Sequence, residues 1–134
     1  MRGRIYFHNQ FGFHDGGVGK KFIILINNPQ NTEPYLFIKT TSQQKDKPDK
    51  YGCHFTRKVF FIPPGKTYFT LNTWIQLHEI YPFSCAEFIK LGIDKTLKCI
   101  DKISEQMTNE ITNCLIRSSI DDIVPLYSTL IKRK

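Results

Sequence analysis

The sequence contains no apolar run long enough to cross a lipid bilayer. Its longest uninterrupted apolar run covers residues 22–26, whereas a membrane-spanning helix needs about 18 apolar residues. The first residues include Arg2 and Arg4 but lack the apolar segment that a secretory signal carries. We therefore expect a cytoplasmic protein that does not enter the membrane.

Cysteines spaced for a metal are also missing. Cys53, Cys85, Cys99 and Cys114 are separated by 32, 14 and 15 residues, and zinc sites use pairs only a few residues apart. No metal site and no cofactor is predicted. Because disulfides are rare in a reducing cytoplasm, the four cysteines are expected to be free thiols.

Acidic residues are scarce. The chain has 12 Asp and Glu against 19 Lys and Arg, which leaves a formal charge of +7 and a pI near 9.3. Residues 1–83 carry 11 basic and 5 acidic side chains, whereas residues 84–134 carry 8 and 7. This balance indicates a polyanionic partner. The basic residues lie on predicted strands and loops rather than along an amphipathic helix, which favours nucleic acid over a membrane surface.

The 134 residues are predicted to form one domain, residues 1–134, with a β-barrel half in residues 1–83 and a helical half in residues 84–134. Short apolar segments separated by turn residues predict strands. They cover residues 3–8, 20–28, 35–42, 58–62 and 73–81. The predicted class is α+β, mainly β, with a small barrel of about five or more strands and C-terminal helices.

The helical half contains recognisable helix ends. Ser84 and Glu87 have the spacing of a capping box, and Gly92 is a candidate stop for the helix that they begin. Ser104 is a candidate N-cap for a second helix, which would bury Ile111 and Leu115.

Several segments, taken in order, resemble the MazF/PemK family of toxin ribonucleases. The resemblance covers about residues 3–117 and rests on five segments: Gly3-Arg-Ile-Tyr-Phe7, the glycine-rich stretch that begins at Gly16 and runs into strand 20–28, Lys39-Thr-Thr-Ser-Gln43, Trp74-Ile-Gln-Leu-His-Glu-Ile80, and the apolar spacing of residues 100–115. It implies an SH3-like barrel with a C-terminal helix, a homodimer and a cognate antitoxin. It also implies RNA cleavage without a metal, by attack of a ribose 2′-hydroxyl on the adjacent phosphate.

The resemblance gives four candidates for the three residues that contact the scissile phosphate. Lys20 or Lys21 stands in the place of the family's arginine, and the proline that should follow is missing. Lysine neutralises a phosphate as a point charge but cannot hold it in a bidentate pair. Thr41 and Ser42 match the family's hydroxyl pair, which donates to phosphate oxygens. The alternative for the lysines is a solvated start of a strand.

Proton transfer needs a further group, and two histidines are candidates. His14 stands where some family members have a loop histidine, and Gln76 and His78 replace the family's acidic or basic catalytic residues. Histidine carries protons near neutral pH, whereas glutamine only hydrogen-bonds. The alternatives are a surface loop for His14 and a buried, hydrogen-bonded position for His78.

Three more residues are candidates for RNA contact. Trp74 alternates with Gln76 and His78 along strand 73–81, so the three are predicted to share one face. Trp74 would stack on a base or, alternatively, lie in the core. Arg57 and Lys58 would extend a track of phosphate contacts along strand 58–62.

The sequence therefore favours a metal-independent endoribonuclease toxin. Loss of the family's arginine and carboxylate supports an alternative, a non-catalytic barrel that binds RNA or protein. A third interpretation is a toxin of a related barrel that poisons a protein target such as a gyrase, which would not need the basic loop and strands.

Overall fold

A computed structural model describes residues 1–12, 16–119 and 121–133. In these ranges the chain forms seven strands and three helices. Their bounds are β1 (Arg4–Gly12), β2 (Val18–Leu25), β3 (Tyr35–Thr41), β4 (Gly52–His54), β5 (Val59–Ile62), β6 (Thr73–Phe83), α1 (Cys85–Ile93), β7 (Leu97–Lys102), α2 (Glu105–Ser119) and α3 (Pro125–Lys132).

The seven strands form one antiparallel sheet in the order β4-β5-β6-β3-β2-β1-β7. The sheet is open in the described part of the chain, with β4 and β7 at its two edges. The predicted class, α+β and mainly β, is confirmed, and the five predicted strands correspond to β1, β2, β3, β5 and β6.

Each face of the sheet is covered by helices. On one face, called the α2 face, Ile24, Ile38 and Ile75 pack in one cluster with Ile111 and Leu115 of α2. This cluster also includes residues of α3. Burying one such side chain stabilises the fold by roughly 1.5–3 kcal/mol. The packing of α2 against this face therefore stabilises the sheet.

The opposite face, called the α1 face, is covered by α1. Its cluster is formed by buried residues such as Tyr6, Ile23 and Phe37, and Phe88 of α1 packs against them. The ring of Phe88 lies 5.6 Å from that of Tyr6 and 6.3 Å from that of Phe37. Successive residues of a strand alternate between the two faces.

The first two helices begin where the sequence predicts. Ser84 accepts a hydrogen bond from the Glu87 amide at 3.1 Å, and the Glu87 carboxylate accepts one from the Ser84 amide, which completes the capping box. The Ser104 hydroxyl oxygen accepts a bond from the Met107 amide at 3.1 Å. These contacts satisfy amides that have no partner inside the helix.

The end of α1 differs from the prediction. The helix continues through Gly92, and Lys95 takes the left-handed conformation, with φ of 61°. The Thr96 amide donates to the Leu91 carbonyl at 2.9 Å and the Lys95 amide donates to the Gly92 carbonyl at 3.1 Å, which together form a Schellman motif. The predicted helix stop at Gly92 is therefore wrong. The residue that needs a positive φ is Lys95, three positions later.

Residues 97–102 also differ, because the sequence predicts a helical second half and the structure has β7 there. Leu97, Ile100 and Ile103 have a three-residue spacing that resembles a helix. The pairing of β7 with β1 contains an irregularity between Ile5 and Tyr6, so a strict two-residue alternation is not maintained.

Two of the four cysteines form a disulfide, which corrects the prediction of free thiols for this pair. Cys53 of β4 and Cys114 of α2 are joined, with their Cα atoms 5.6 Å apart. The pairing joins residues 61 positions apart in the chain, so local spacing did not indicate it. Cys85 and Cys99 are free.

The helices that the structure describes do not include one with the length and apolar character of a membrane span.

Candidate functional site

A cleft of about 450 Å³ lies at the end of the sheet where β2 begins, β3 ends and β6 begins. We call it the cleft. Its lining combines basic, hydroxyl and aromatic residues: Phe7, Lys20, Lys21, Phe22, Thr40, Thr41, Ser42, Tyr68, Phe69, Thr70, Leu71 and Thr73. Its volume is in the range of small-ligand sites.

The cleft brings together the four residues that the sequence assigns to phosphate. Strand β2 pairs with β3 in a register that places Ile24 opposite Ile38. Continued to the strand ends, this register places Lys21 opposite Thr41 and Lys20 opposite Ser42. The four residues therefore lie close together because the first half of β2 is opposite the end of β3.

Lys20 and Lys21 extend from opposite faces of the sheet. Lys20 shares the α2 face with Phe22, which is two residues further along β2, and the Thr40 hydroxyl donates to the Phe22 carbonyl at 2.9 Å. Lys20 is exposed and Lys21 is half-buried. Of the two lysines, Lys20 therefore lies on the same face of the sheet as Phe22 and Ser42.

Lys21 lies in a more cationic environment. Burial lowers the pKa of Lys21 below its ordinary value, and the positive charges of Lys39 and Lys47 lower it further. On the neighbouring strand it is paired with His8, which is buried, and burial lowers the pKa of that histidine as well. Both effects disfavour the protonated forms.

Aromatic rings form one wall of the cleft. The ring of Phe22 lies 5.3 Å from that of Phe7, 5.8 Å from that of Tyr68 and 5.7 Å from that of Phe69. Tyr68 is 43% exposed, so part of its ring is accessible at the cleft rim. This wall is not predicted from the sequence, although Lys66-Thr-Tyr-Phe-Thr70 interleaves a basic residue with aromatic and hydroxyl residues.

Trp74 does not have the predicted stacking role. It is 1% exposed, its indole N–H donates to the Pro48 carbonyl at 2.6 Å, and its ring packs 5.0 Å from that of Phe61. A base cannot reach either face of a buried ring. The structure therefore supports the alternative, in which Trp74 lies in the core.

Gln76 and His78 are not part of the cleft. The register between β3 and β6 changes from Lys39 opposite Gln76 to Phe37 opposite Tyr81, so β6 has three extra residues there. Trp74 and Gln76 precede this irregularity and alternate with the buried Ile75 and Leu77. His78 lies inside the irregularity, so the predicted common face does not extend to it. His78 is exposed, which also excludes the predicted buried position.

His78 lines a separate, smaller cavity of about 180 Å³ between β6 and the segment that joins α2 to α3. Glu79, Asp122 and Tyr127 line the same cavity. The side-chain oxygen of Gln76 is buried without a hydrogen-bond partner. Gln76 and His78 are therefore not positioned to contact a phosphate that is bound at Lys20.

Arg57 and Lys58 make contacts at the other end of β5. Arg57 donates to the Asp46 carbonyl at 2.5 Å, and Lys58 forms an ion pair with Asp122 at 2.6 Å. Since Ile62 lies opposite Thr73 of the cleft, Lys58 is four residues, or about 13 Å, away along the strand. Arg57 and Lys58 therefore do not line the cleft, and the phosphate track along this strand stays a prediction.

His14, the other candidate proton carrier, lies outside the described residues. In the ranges that the structure describes, no group of three or more His, Cys, Asp or Glu side chains is arranged to hold a metal ion.

No protein-family model matches the chain, and no curated protein matches it. The similarity to MazF/PemK toxins thus depends on the short segments quoted above.

Proposed function

We propose that the cleft binds the backbone and a base of single-stranded RNA. The observation that carries the proposal is the meeting of Lys20 and Ser42 with the ring of Tyr68 in one cleft. The ammonium group of Lys20 neutralises a phosphate, and the hydroxyl groups of Ser42 and Thr41 donate to its oxygens.

The aromatic wall supplies the second part of the site. Tyr68 is half-exposed beside Phe22, and an unpaired base stacks on such a ring because every base has a π-face. Stacking of this kind contributes roughly 1–3 kcal/mol per base. A basic residue beside an aromatic wall suits an unpaired strand better than a duplex, whose bases are already stacked.

Metal-independent RNA cleavage is the second candidate, and one observation favours it. The lowered pKa of Lys21 brings this amine nearer to the range in which a side chain can exchange protons. In that reaction the 2′-oxygen loses its proton and attacks phosphorus. The bond to the 5′-oxygen breaks, and the departing oxygen gains a proton. His14 remains the predicted partner for one of these two transfers.

The toxin–antitoxin pair, the homodimer, the SH3-like barrel and the cytoplasmic location remain predictions. The first three rest on the resemblance alone. The disulfide between Cys53 and Cys114 weighs against the last, because such bonds are rare in a reducing cytoplasm.

Binding is tested by fluorescence anisotropy with a labelled RNA of about 12 nucleotides, within the range of single-strand site sizes. We expect Lys20→Ala/Ser42→Ala to weaken binding at least tenfold, and Tyr68→Ala to weaken it by roughly five- to a hundredfold. The control is Lys102→Ala/Lys132→Ala, which removes two exposed lysines outside the cleft, one at the end of β7 and one at the end of α3. Equal losses in the control would show that binding is nonspecific and would contradict the proposal.

Cleavage is tested on the same RNA with EDTA present. Products that end in a 2′,3′-cyclic phosphate, lost in Lys21→Gln but retained in the control, support the second candidate. Intact RNA at high protein concentration, with binding preserved, rules cleavage out and leaves RNA binding.

A further inference from the structure

A second group of basic residues lies beside the cleft, toward the α1 face. It consists of Lys21, Lys39, Lys45, Lys47 and Arg57, and we call it the cationic row. Two of its members are on strands β2 and β3, and the other three are on the 42–51 loop and the turn between β4 and β5.

The strand register brings these elements together. Thr41, which is opposite Lys21 in the continued register, pairs with Trp74 on its other side. The Trp74 indole in turn donates to the Pro48 carbonyl at 2.6 Å and so holds the loop against the α1 face. Two strand spacings separate β2 from β6, or about 10 Å. The loop is thereby anchored to β6, and the charge of Lys47 in this loop is close enough to lower the pKa of Lys21.

Hydrogen bonds inside the loop keep its cations in place. The Lys47 ammonium donates to the carbonyls of Gln43 and Gln44 at 3.1 and 3.3 Å. Arg57 donates to the Asp46 carbonyl and ties the turn to the loop. Burial lowers the pKa of Lys47, and the charges of Lys45 and Arg57 lower it further, as expected for cations held close together.

In the described part of the chain, three acidic residues lie near the cationic row. The loop itself contributes Asp46 and Asp49. Near Lys39, whose ammonium lies 5.7 Å from the centre of the Tyr81 ring, Glu79 accepts a hydrogen bond from the Tyr81 hydroxyl. Among the described residues, the five cations of the row therefore lie close to three carboxylates. The cations of the row are close enough to one another to attract a polyanion that runs along them.

We propose that the cationic row is the continuation of the RNA site. The strand held at Lys20 passes round the end of the sheet at Lys21, and its next phosphates lie along the row as far as the 42–51 loop. This inference rests on the proposed function of the cleft, because it describes where the same strand goes. Single-stranded nucleic acid is favoured over an acidic peptide because the row begins at the residue next to the phosphate ligand Lys20.

Salt dependence measures the number of phosphates that the row neutralises. The logarithm of the binding constant for a single strand falls with the logarithm of salt concentration, with a slope of about −0.7 per neutralised phosphate. We expect Lys45→Ala/Lys47→Ala to make the slope for an RNA of about 12 nucleotides shallower by about 1.4. The same variant should bind a trinucleotide, which fills only the cleft, as tightly as the wild type does.

Variants at the cleft separate this inference from the proposed function. Lys20→Ala/Ser42→Ala should weaken the binding of both RNAs, and Lys102→Ala/Lys132→Ala should leave both slopes unchanged. An unchanged slope in Lys45→Ala/Lys47→Ala overturns the inference while leaving the cleft intact. Full affinity in Lys20→Ala/Ser42→Ala overturns both proposals. Binding of a polyglutamate peptide in preference to RNA, lost in Lys45→Ala/Lys47→Ala, would assign the row to a protein partner and also overturn the inference.

Discussion

Lys20 and Lys21 are adjacent in the chain and have different surroundings in the fold. Lys20 extends beside the cleft, whereas Lys21 lies toward Lys39 and Lys47 on the other face. The sequence identifies both as candidates but cannot assign them, because the assignment depends on which face each residue occupies. Trp74 illustrates the same limit, since alternation predicts a face but does not predict whether the residue at that face is accessible.

Gly3 is a residue whose missing side chain is required by the packing of α2. Its φ is +94°, and a Cβ atom there would lie 2.5 Å from the Thr108 hydroxyl and 3.3 Å from the Ile103 carbonyl oxygen. We expect Gly3→Ala to lower the free energy of unfolding by roughly 1–3 kcal/mol, measured by urea denaturation.

Gly92→Ala is the matched control for this substitution. Gly92 is inside α1, and a Cβ atom there would meet nothing within 4 Å. Because alanine favours a helix over glycine, the control should raise stability by up to about 1 kcal/mol. Equal effects of the two substitutions would show that Gly3 does not need its conformation.

At the scale of elements, sequence patterns find the long strands and miss the short and irregular ones. β4 has three residues, too few for an alternation to be recognised, and β7 pairs irregularly with β1. Two rings of the aromatic wall, Tyr68 and Phe69, come from the segment between β5 and β6, which has no periodicity. Tyr68 reaches the wall because the segment between β5 and β6 passes beside Phe22. The path of this segment is determined by the whole fold.

The end of α3 is attached to the turn between β2 and β3 by an ion pair. Arg133 donates to both carboxylate oxygens of Glu33, at 2.5 and 2.9 Å, and to the Asn28 carbonyl at 2.8 Å. The bonds from Arg133, together with one from the Gln30 amide, lower the pKa of Glu33 to about 2. The ionised form of Glu33 is therefore favoured in the folded state.

This attachment predicts how stability depends on acid. A carboxyl with a depressed pKa contributes stability that is complete above its ordinary pKa, 4.5, and is lost as the pH falls through about 2. Wild type should have a higher Tm than Glu33→Gln at pH 6, and the difference should close toward pH 2. In an Arg133→Gln background the same substitution should have a much smaller effect. A difference that does not change with pH would contradict the ion pair.

At the scale of the whole molecule, the disulfide joins one edge of the sheet to the helix that covers it. Closing a loop of this length stabilises a fold by about 4 kcal/mol in the chain-entropy treatment. Cys53→Ser/Cys114→Ser should lose roughly that amount, whereas the control Cys85→Ser/Cys99→Ser, which changes the two free cysteines, should lose much less.

Counting thiols tests the disulfide independently of stability. The denatured chain should react with a thiol reagent at two cysteines before reduction and at all four afterwards. Four reactive thiols before reduction would restore the expectation of free cysteines and remove the tie between β4 and α2.

Much of the positive charge of the chain lies in one region of the fold. The +7 excess includes Lys20 at the cleft, near the end of the sheet where β2 begins, and the cationic row beside the cleft. RNA binding at this end is the central claim, and amide chemical-shift mapping by NMR during titration with a short single-stranded RNA tests it most directly. We expect the largest shifts at Lys20, Ser42 and Tyr68, followed by the 42–51 loop. Shifts confined to Lys102, Lys132 and their neighbours would contradict it.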